Sequence, residues 1–176
     1  MHDPTHVDLA AKIRAIPDFP KPGILFRDIM PLLQDAQALR AAVDRMAEWS
    51  VGRHVDVVLG AESRGFILGS ALAYALNAGF VCARKPGKLP FETVSESYEL
   101  EYGTDSLEVH ADAIGPDTNV LVHDDLLATG GTAGAKVRLV EKMGGRVVGA
   151  AFLIELAGLK GRDKLPGLDV YSLITY

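Results

Sequence analysis

The residues best suited to chemistry lie in one run, N-V-L-V-H-D-D-L-L-A-T-G-G-T, at positions 119–132. Two adjacent carboxylates, Asp124 and Asp125, precede a loop of small residues, Ala128, Thr129, Gly130, Gly131 and Thr132. Glycines let the backbone close around an anion and threonine hydroxyls add donors. A helix begun after the loop contributes free N–H groups and a partial positive charge. This is the chemistry of a phosphate site. Carboxylates beside a phosphate repel it unless they grip sugar hydroxyls or act through a bound cation. The run therefore asks for a phosphorylated sugar with Mg2+. The competing reading is an αβ turn without ligand, since glycines punctuate such turns. A plain turn, however, needs neither two carboxylates nor two threonines around its glycines. No Lys follows the glycines as in a Walker A loop, and G-x-G-x-x-G is absent here.

Other residues could serve the same ligand. A-E-S-R-G, at 61–65, sets Arg64 at the start of an expected helix, where a cation opposes the helix dipole; anion binding would explain it, and a solvated arginine is the alternative. R-K-P-G-K-L-P places Arg84, Lys85 and Lys88 within five residues, either a polyphosphate clamp or a solvated turn. P-D-F-P-K-P-G-I-L-F-R-D-I-M-P, at 17–31, is stiffened by four prolines. By itself it reads as a surface loop with Phe26 tucked into the core. It could also be a preshaped wall on which a flat ligand stacks. The single cysteine, Cys82, lies in the apolar run F-V-C-A and reads as a buried small residue.

The positioning elements follow from periodicity. Short apolar runs at 55–60, 80–83, 107–110, 120–122, 147–154 and 170–174 read as strands. Helices are expected over 5–16, capped by Thr5, and over 35–50, 66–76 and 133–143, the last closed by Gly144-Gly145. Residues 91–104 are polar and suit a hairpin or a mobile lid. Strands alternating with helices predict an α/β domain around a mostly parallel central sheet flanked by helices, with ligands at the carboxyl ends of the strands. At 176 residues the chain is long enough for one domain with a real core. A formal net charge of -5 argues against a general nucleic-acid binder. M-H-D-P-T-H-V-D has neither the basic start nor the apolar core of a secretory signal, and no apolar run reaches membrane-spanning length, so a cytoplasmic protein is expected.

V-L-V-H-D-D-L-L-A-T-G-G-T resembles the phosphoribosyl pyrophosphate (PRPP) motif of the type I phosphoribosyltransferases. P-D-F-P-K-P-G-I-L-F-R-D-I, G-A-E-S-R-G-F, R-K-P-G-K-L-P, Y-E-L-E-Y-G and L-P-G-L-D-V-Y-S-L are similar to segments of the adenine-specific branch, and together they span nearly the whole chain. The resemblance implies the type I fold as a single domain, with a base-binding hood over about 1–34 and a lid loop over about 86–106. It implies transfer of the 5-phosphoribosyl group from PRPP to adenine, giving AMP and pyrophosphate in purine salvage, with Mg2+ on the diphosphate and a homodimer. Carried over by position, Asp124 and Asp125 hold the ribose hydroxyls and stabilise charge at the anomeric carbon. Ala128, Thr129, Gly130, Gly131 and Thr132 bind the 5′-phosphate. Glu62, Ser63 and Arg64, with a non-proline cis peptide, form the pyrophosphate loop, joined by Arg84, Lys85 and Lys88. Leu25, Phe26 and Arg27 form the adenine wall. Glu101 and Tyr102 belong to the lid, Glu101 as the proton-transfer group. The protein supplies no dedicated metal ligands; Mg2+ is held by PRPP and water, with Asp124 or Asp125 as its protein contact.

His123 departs from the motif, where an apolar residue is usual. By strand alternation its side chain points away from Asp124, which implies packing rather than a second base. Two other functions share parts of this pattern. A 6-oxopurine enzyme needs a donor near C6 where adenine needs an acceptor, and the match at 23–28 favours adenine. A non-catalytic PRPP sensor needs a nucleic-acid surface, which the acidic chain does not suggest.

Overall fold

In the computed structural model the described residues are 7–99 and 103–176. The chain divides into two compact units, residues 1–45 and 46–176. In the first unit, a 3₁₀ turn at Ala10–Lys12 leads into β1 (Arg14–Ile16), which pairs antiparallel with β2 (Phe26–Asp28). The helix expected over 5–16 is thus replaced, within the described residues, by a short turn and a strand. Pairing with β2 outweighs the helix-compatible apolar spacing. Between the two strands, Phe19–Pro20 is a cis bond and the Phe19 ring meets Phe26 edge-on, with centroids 5.1 Å apart. Next come α1 (Met30–Gln34) and α2 (Ala36–Ser50), the latter running on into the second unit. Asp35 caps α2, its Oδ1 accepting from the N–H groups of Gln37 and Ala38 at 3.0 and 3.1 Å.

The second unit is built on five parallel strands. These are β3 (Val57–Ala61), β4 (Gly79–Ala83), β7 (Asn119–Leu127), β8 (Arg146–Glu155) and β9 (Val170–Thr175), in spatial order β4-β3-β7-β8-β9. Between them, α3 (Arg64–Ala75) links β3 to β4, and α4 (Gly131–Lys142) links β7 to β8. An antiparallel hairpin, β5 (Thr93–Glu99) with β6 (Thr104–His110), occupies the polar stretch expected as hairpin or lid. The core on one sheet face joins Leu59, Val81 and Val120 to Leu107 and Val109 of the hairpin and Ala135, Leu139 and Val140 of α4. On the other face α3 approaches Phe80 and His123 so closely that a β-carbon at Gly69 would meet them at 2.8 and 3.1 Å.

The order of the strands creates the site. From β3 the chain moves outward to β4, then returns to β7 on β3's other side. The loops leaving β3 and β7 therefore part at a topological switch point, where α/β sheets place their crevice. Strand β7 is longer than its apolar run suggests. It pairs with β3 only from Val120 to His123, while pairing with β8 runs on to Leu127. Asp124 and Asp125 thus lie inside a strand, just past the point where the β3 side is left open.

Candidate active site

A cleft of about 310 Å3 opens at this switch point. It is bordered by Glu62, Ser63 and Arg64 after β3, by Asp124 and Asp125 of β7, and by the loop Ala128, Thr129, Gly130, Gly131 and Thr132. Lys85 reaches it from beyond β4, and Tyr98 and Leu107 from the hairpin. Residues 70 positions apart in the chain are thereby gathered around one space.

The loop from Ala128 to Thr132 is shaped by backbone. Gly130 stands at φ 81, a left-handed conformation costly for any residue with a β-carbon, and no side chain caps α4. The first turn of α4 therefore keeps its free N–H groups for a ligand. The loop is walled from behind: a β-carbon at Gly130 would lie 2.3 Å from the carbonyl oxygen of Gly161, and one at Gly161 would lie 2.4 Å from that of Ala128. Gly161 opens the 3₁₀ turn Gly161–Lys164, which is fixed by a two-pronged pair from Arg162 to Glu155, Nε–Oε1 2.8 Å and Nη2–Oε2 2.7 Å.

The acidic pair is asymmetric. Asp124 Oδ1 accepts from the Asp125 N–H at 3.1 Å, and Asp124 Oδ2 pairs with the Lys136 ammonium at 2.8 Å. Asp125 is buried, with Arg64 Nε 2.9 Å from its Oδ2. Burial, reinforced by the charge of Asp124, pushes the Asp125 carboxyl up to about 7 against the opposing pull of Arg64. His123 is wholly buried, with Nδ1 2.9 Å from the Ala151 carbonyl oxygen. Burial holds its pKa down to about 4, so the ring is neutral and donates from Nδ1. Its packing role agrees with strand alternation.

On the β3 side the charged groups are side chains, already engaged with one another. The Glu62–Ser63 peptide is cis, as the resemblance implies. Glu62 accepts from the Lys85 N–H at 2.6 Å, from Arg84 Nη2 at 3.1 Å and from Lys88 Nζ at 3.2 Å. Burial raises its pKa, but these three donors outweigh it and hold the carboxyl below its usual range. Of the three expected cations only Lys85 borders the main cleft; its ammonium pairs with Asp105 of β6. Arg84 and Lys88 line a neighbouring cleft with Cys82 and Pro90. Cys82 is half-buried, and burial raises its thiol pKa.

Leu25, Phe26 and Arg27 belong to the first unit, Leu25 exposed and the other two half-buried. Glu101 and Tyr102 lie outside the described residues. The hairpin that leads to them is tied to α4: Arg138 Nε donates to Glu96 at 2.7 Å and Lys142 Nζ to the Ser95 carbonyl at 2.9 Å. Tyr98, which lines the cleft, and Gly65 and Lys136, which both abut Asp124, are not among the residues expected from sequence. A cation in register with the apolar positions Ala133 and Val140 was the available signal for Lys136.

A phosphoribosyl transferase domain model matches residues 32–170. The adenine phosphoribosyltransferase of Rubrobacter xylanophilus is 63% identical over 166 residues, covering 94% of this chain and 90% of its own. The crystal structure of adenine phosphoribosyltransferase from Rhodothermus marinus matches with a TM-score of 0.92 at 54% identity, covering 96% of each chain. The Saccharomyces cerevisiae enzyme, complexed with an imino-altritol bisphosphate and adenine, matches with a TM-score of 0.89 at 39% identity, over 94% of this chain and 96% of that one.

Proposed function

The chain belongs to the phosphoribosyltransferase family and, within it, to the adenine phosphoribosyltransferases, and from that membership we propose the reaction of its cleft. The 5-phosphoribosyl group of PRPP passes to adenine. The bond from the anomeric carbon to the diphosphate oxygen breaks, the bond to adenine N9 forms, and the N9 proton leaves. The products are AMP and pyrophosphate, which makes the chain a pentosyltransferase of purine salvage. One observation carries the reading: a cleft of about 310 Å3 joins an anion-binding backbone loop, two carboxylates and a loop bearing cations.

Each part has a physical task. The loop from Ala128 to Thr132 and the N-terminus of α4 hold the 5′-phosphate. Asp124 and Asp125 accept from the ribose hydroxyls and face the positive charge that grows on the ribose as the diphosphate departs. Glu62, Ser63, Arg64 and Lys85 frame the diphosphate, with Arg84 and Lys88 drawn in from Glu62. Leu25, Phe26 and Arg27 receive adenine. Glu101 takes the purine proton as Tyr102 and the hairpin tip close and exclude water, which would otherwise hydrolyse PRPP.

Mg2+ keeps several waters and binds through one or two carboxylates plus substrate phosphates. Among the described residues no three His, Cys, Asp or Glu side chains converge, while Asp124 and Asp125 border the cleft. This donor set fits an ion carried on the diphosphate and completed by water, with Asp124 or Asp125 as the protein contact. When bound, the ion withdraws charge from the leaving group. A homodimer, with Arg84 serving a neighbouring site, and a cytoplasmic setting complete the reading. Among the described residues no helix is long and apolar enough to cross a membrane.

A base panel tests it. Protein, PRPP and Mg2+ are mixed with adenine, hypoxanthine, guanine or xanthine, and nucleotide and pyrophosphate are followed. AMP from adenine alone is expected. A 6-oxopurine nucleotide would overturn the adenine wall, and PRPP binding without turnover would make the chain a sensor.

A further inference from the structure

Among the described residues Lys136 is the one wholly buried Lys or Arg, and the scheme above gives it no part. It lies on the inward face of α4 with Ala133 and Val140. Its ammonium donates to the His123 carbonyl oxygen at 2.5 Å and to Asp124 Oδ2 at 2.8 Å. The other oxygen of Asp124 accepts from the Asp125 N–H at 3.1 Å, and a β-carbon at residue 65 would stand 2.6 Å from it. Asp124 is thus fixed by an ammonium, a backbone N–H and the bare backbone of Gly65.

The two carboxylates differ in the kind of cation that holds them. Arg64, paired with Asp125, is 31% exposed and stands on the loop that borders the cleft. Lys136 is 0% exposed. Two of its three N–H bonds are committed to acceptors within the chain. A ligand can draw Arg64 away; it cannot reach Lys136. Adjacent carboxylates repel, and an unanchored Asp124 would swing from its neighbour. We propose that Lys136 is a positioning residue for ribose recognition, an internal counter-ion that keeps Asp124 in one rotamer, its remaining lone pairs turned to the ribose hydroxyls. The inference rests on the phosphoribosyl reading of the cleft and adds to it a residue that never touches substrate.

Lys136→Met keeps the length and removes the charge. The KM for PRPP should rise about tenfold or more, the loss expected for one charge-assisted hydrogen bond. The KM for adenine should stay within about twofold, the range of a substitution away from that ligand. A PRPP KM within about twofold of wild type would overturn the proposal. So would an equal loss for both substrates, which marks general damage. If Lys136→Met does not fold, Asp124→Asn/Lys136→Met gives a neutral pair. Acting through Asp124, Lys136 should add nothing to the PRPP defect of Asp124→Asn alone; a further loss of about tenfold sinks the idea. In the wild-type protein labelled with 15N-lysine, one ammonium should exchange slowly with solvent and shift on adding ribose 5-phosphate but not adenine. No such shift also counts against the proposal. Wild-type turnover separates the two readings: without AMP formation the reaction assignment falls, whereas with it a silent Lys136→Met removes this inference alone.

Discussion

The two strand–loop–helix units that meet at the cleft handle negative charge in opposite ways. Both helix starts lack a side-chain cap, but β7, its loop and α4 offer a shaped backbone: Gly130 at φ 81, with Gly161 pressed behind it. β3, its loop and α3 offer side chains, and the nearby cations Arg84 and Lys88 are already joined to Glu62. The difference follows the fate of each phosphate in the proposed reaction. The 5′-phosphate stays on the product, and fixed dipoles hold it without rearrangement. The diphosphate must leave, and side chains with an alternative partner can let it go.

The largest effect should fall outside both units. Glu101→Ala should lower kcat by about 100-fold or more, the usual share of a general base, with PRPP affinity kept. Equal loss in both would make Glu101 a binding residue only. Next comes Gly130→Ala, which combines a left-handed backbone with the wall at Gly161. A penalty of roughly 1–3 kcal/mol corresponds to a rise of up to about 100-fold in the KM for PRPP, and AMP should weaken equally. A loop that tolerates the methyl group would not be the rigid half of the comparison. The division of labour is sharpened by a smaller pair. Thr129→Val should weaken PRPP and AMP together by about tenfold, the cost of one hydrogen bond to a charged group. Lys88→Ala should weaken PRPP and pyrophosphate by about threefold and leave AMP unchanged, since the cation is exposed. If AMP also weakens with Lys88→Ala, the two units share one anion.

A separate effect is on melting against pH. The folded Asp125 carboxyl is raised from 3.8 to about 7. Its stabilisation is full below pH 3.8 and is lost as pH rises through about 7. His123 runs the other way: with its pKa lowered from 6.5 to about 4, it destabilises the fold as pH falls across that window. Asp125→Asn should remove the first slope and His123→Val the second; wild-type-like slopes in both variants would remove the electrostatic asymmetry of β7.

The run from Asn119 to Thr132 was legible because its glycines, hydroxyls and carboxylates are contiguous. So were the parallel strands, whose apolar runs need no partner to be read. Two kinds of feature were not. Residues 10–16 carry a helix-compatible spacing, yet Arg14, Ala15 and Ile16 pair with a strand ten residues on. A lysine in an amphipathic helix reads as solvated unless its partner, 12 positions away in Asp124, is known. The cations at 84–88 were visible as a cluster, but a turn does not reveal that Arg84 and Lys88 point to Glu62 while Lys85 borders the cleft.

The contact between Gly130 and Gly161 bears on where the chain could be cut. Everything after β8 is free of residues assigned to a ligand, and a truncation near residue 156 would look harmless by that measure. It would delete β9 from the sheet edge, the Arg162 anchor and the surface against which the 128–132 loop is shaped. Residues 157–176 are therefore a template for a loop formed earlier in the chain, the one proposed to hold the 5′-phosphate. During synthesis that loop would gain its final shape only after the C-terminal segment had emerged and folded back onto it.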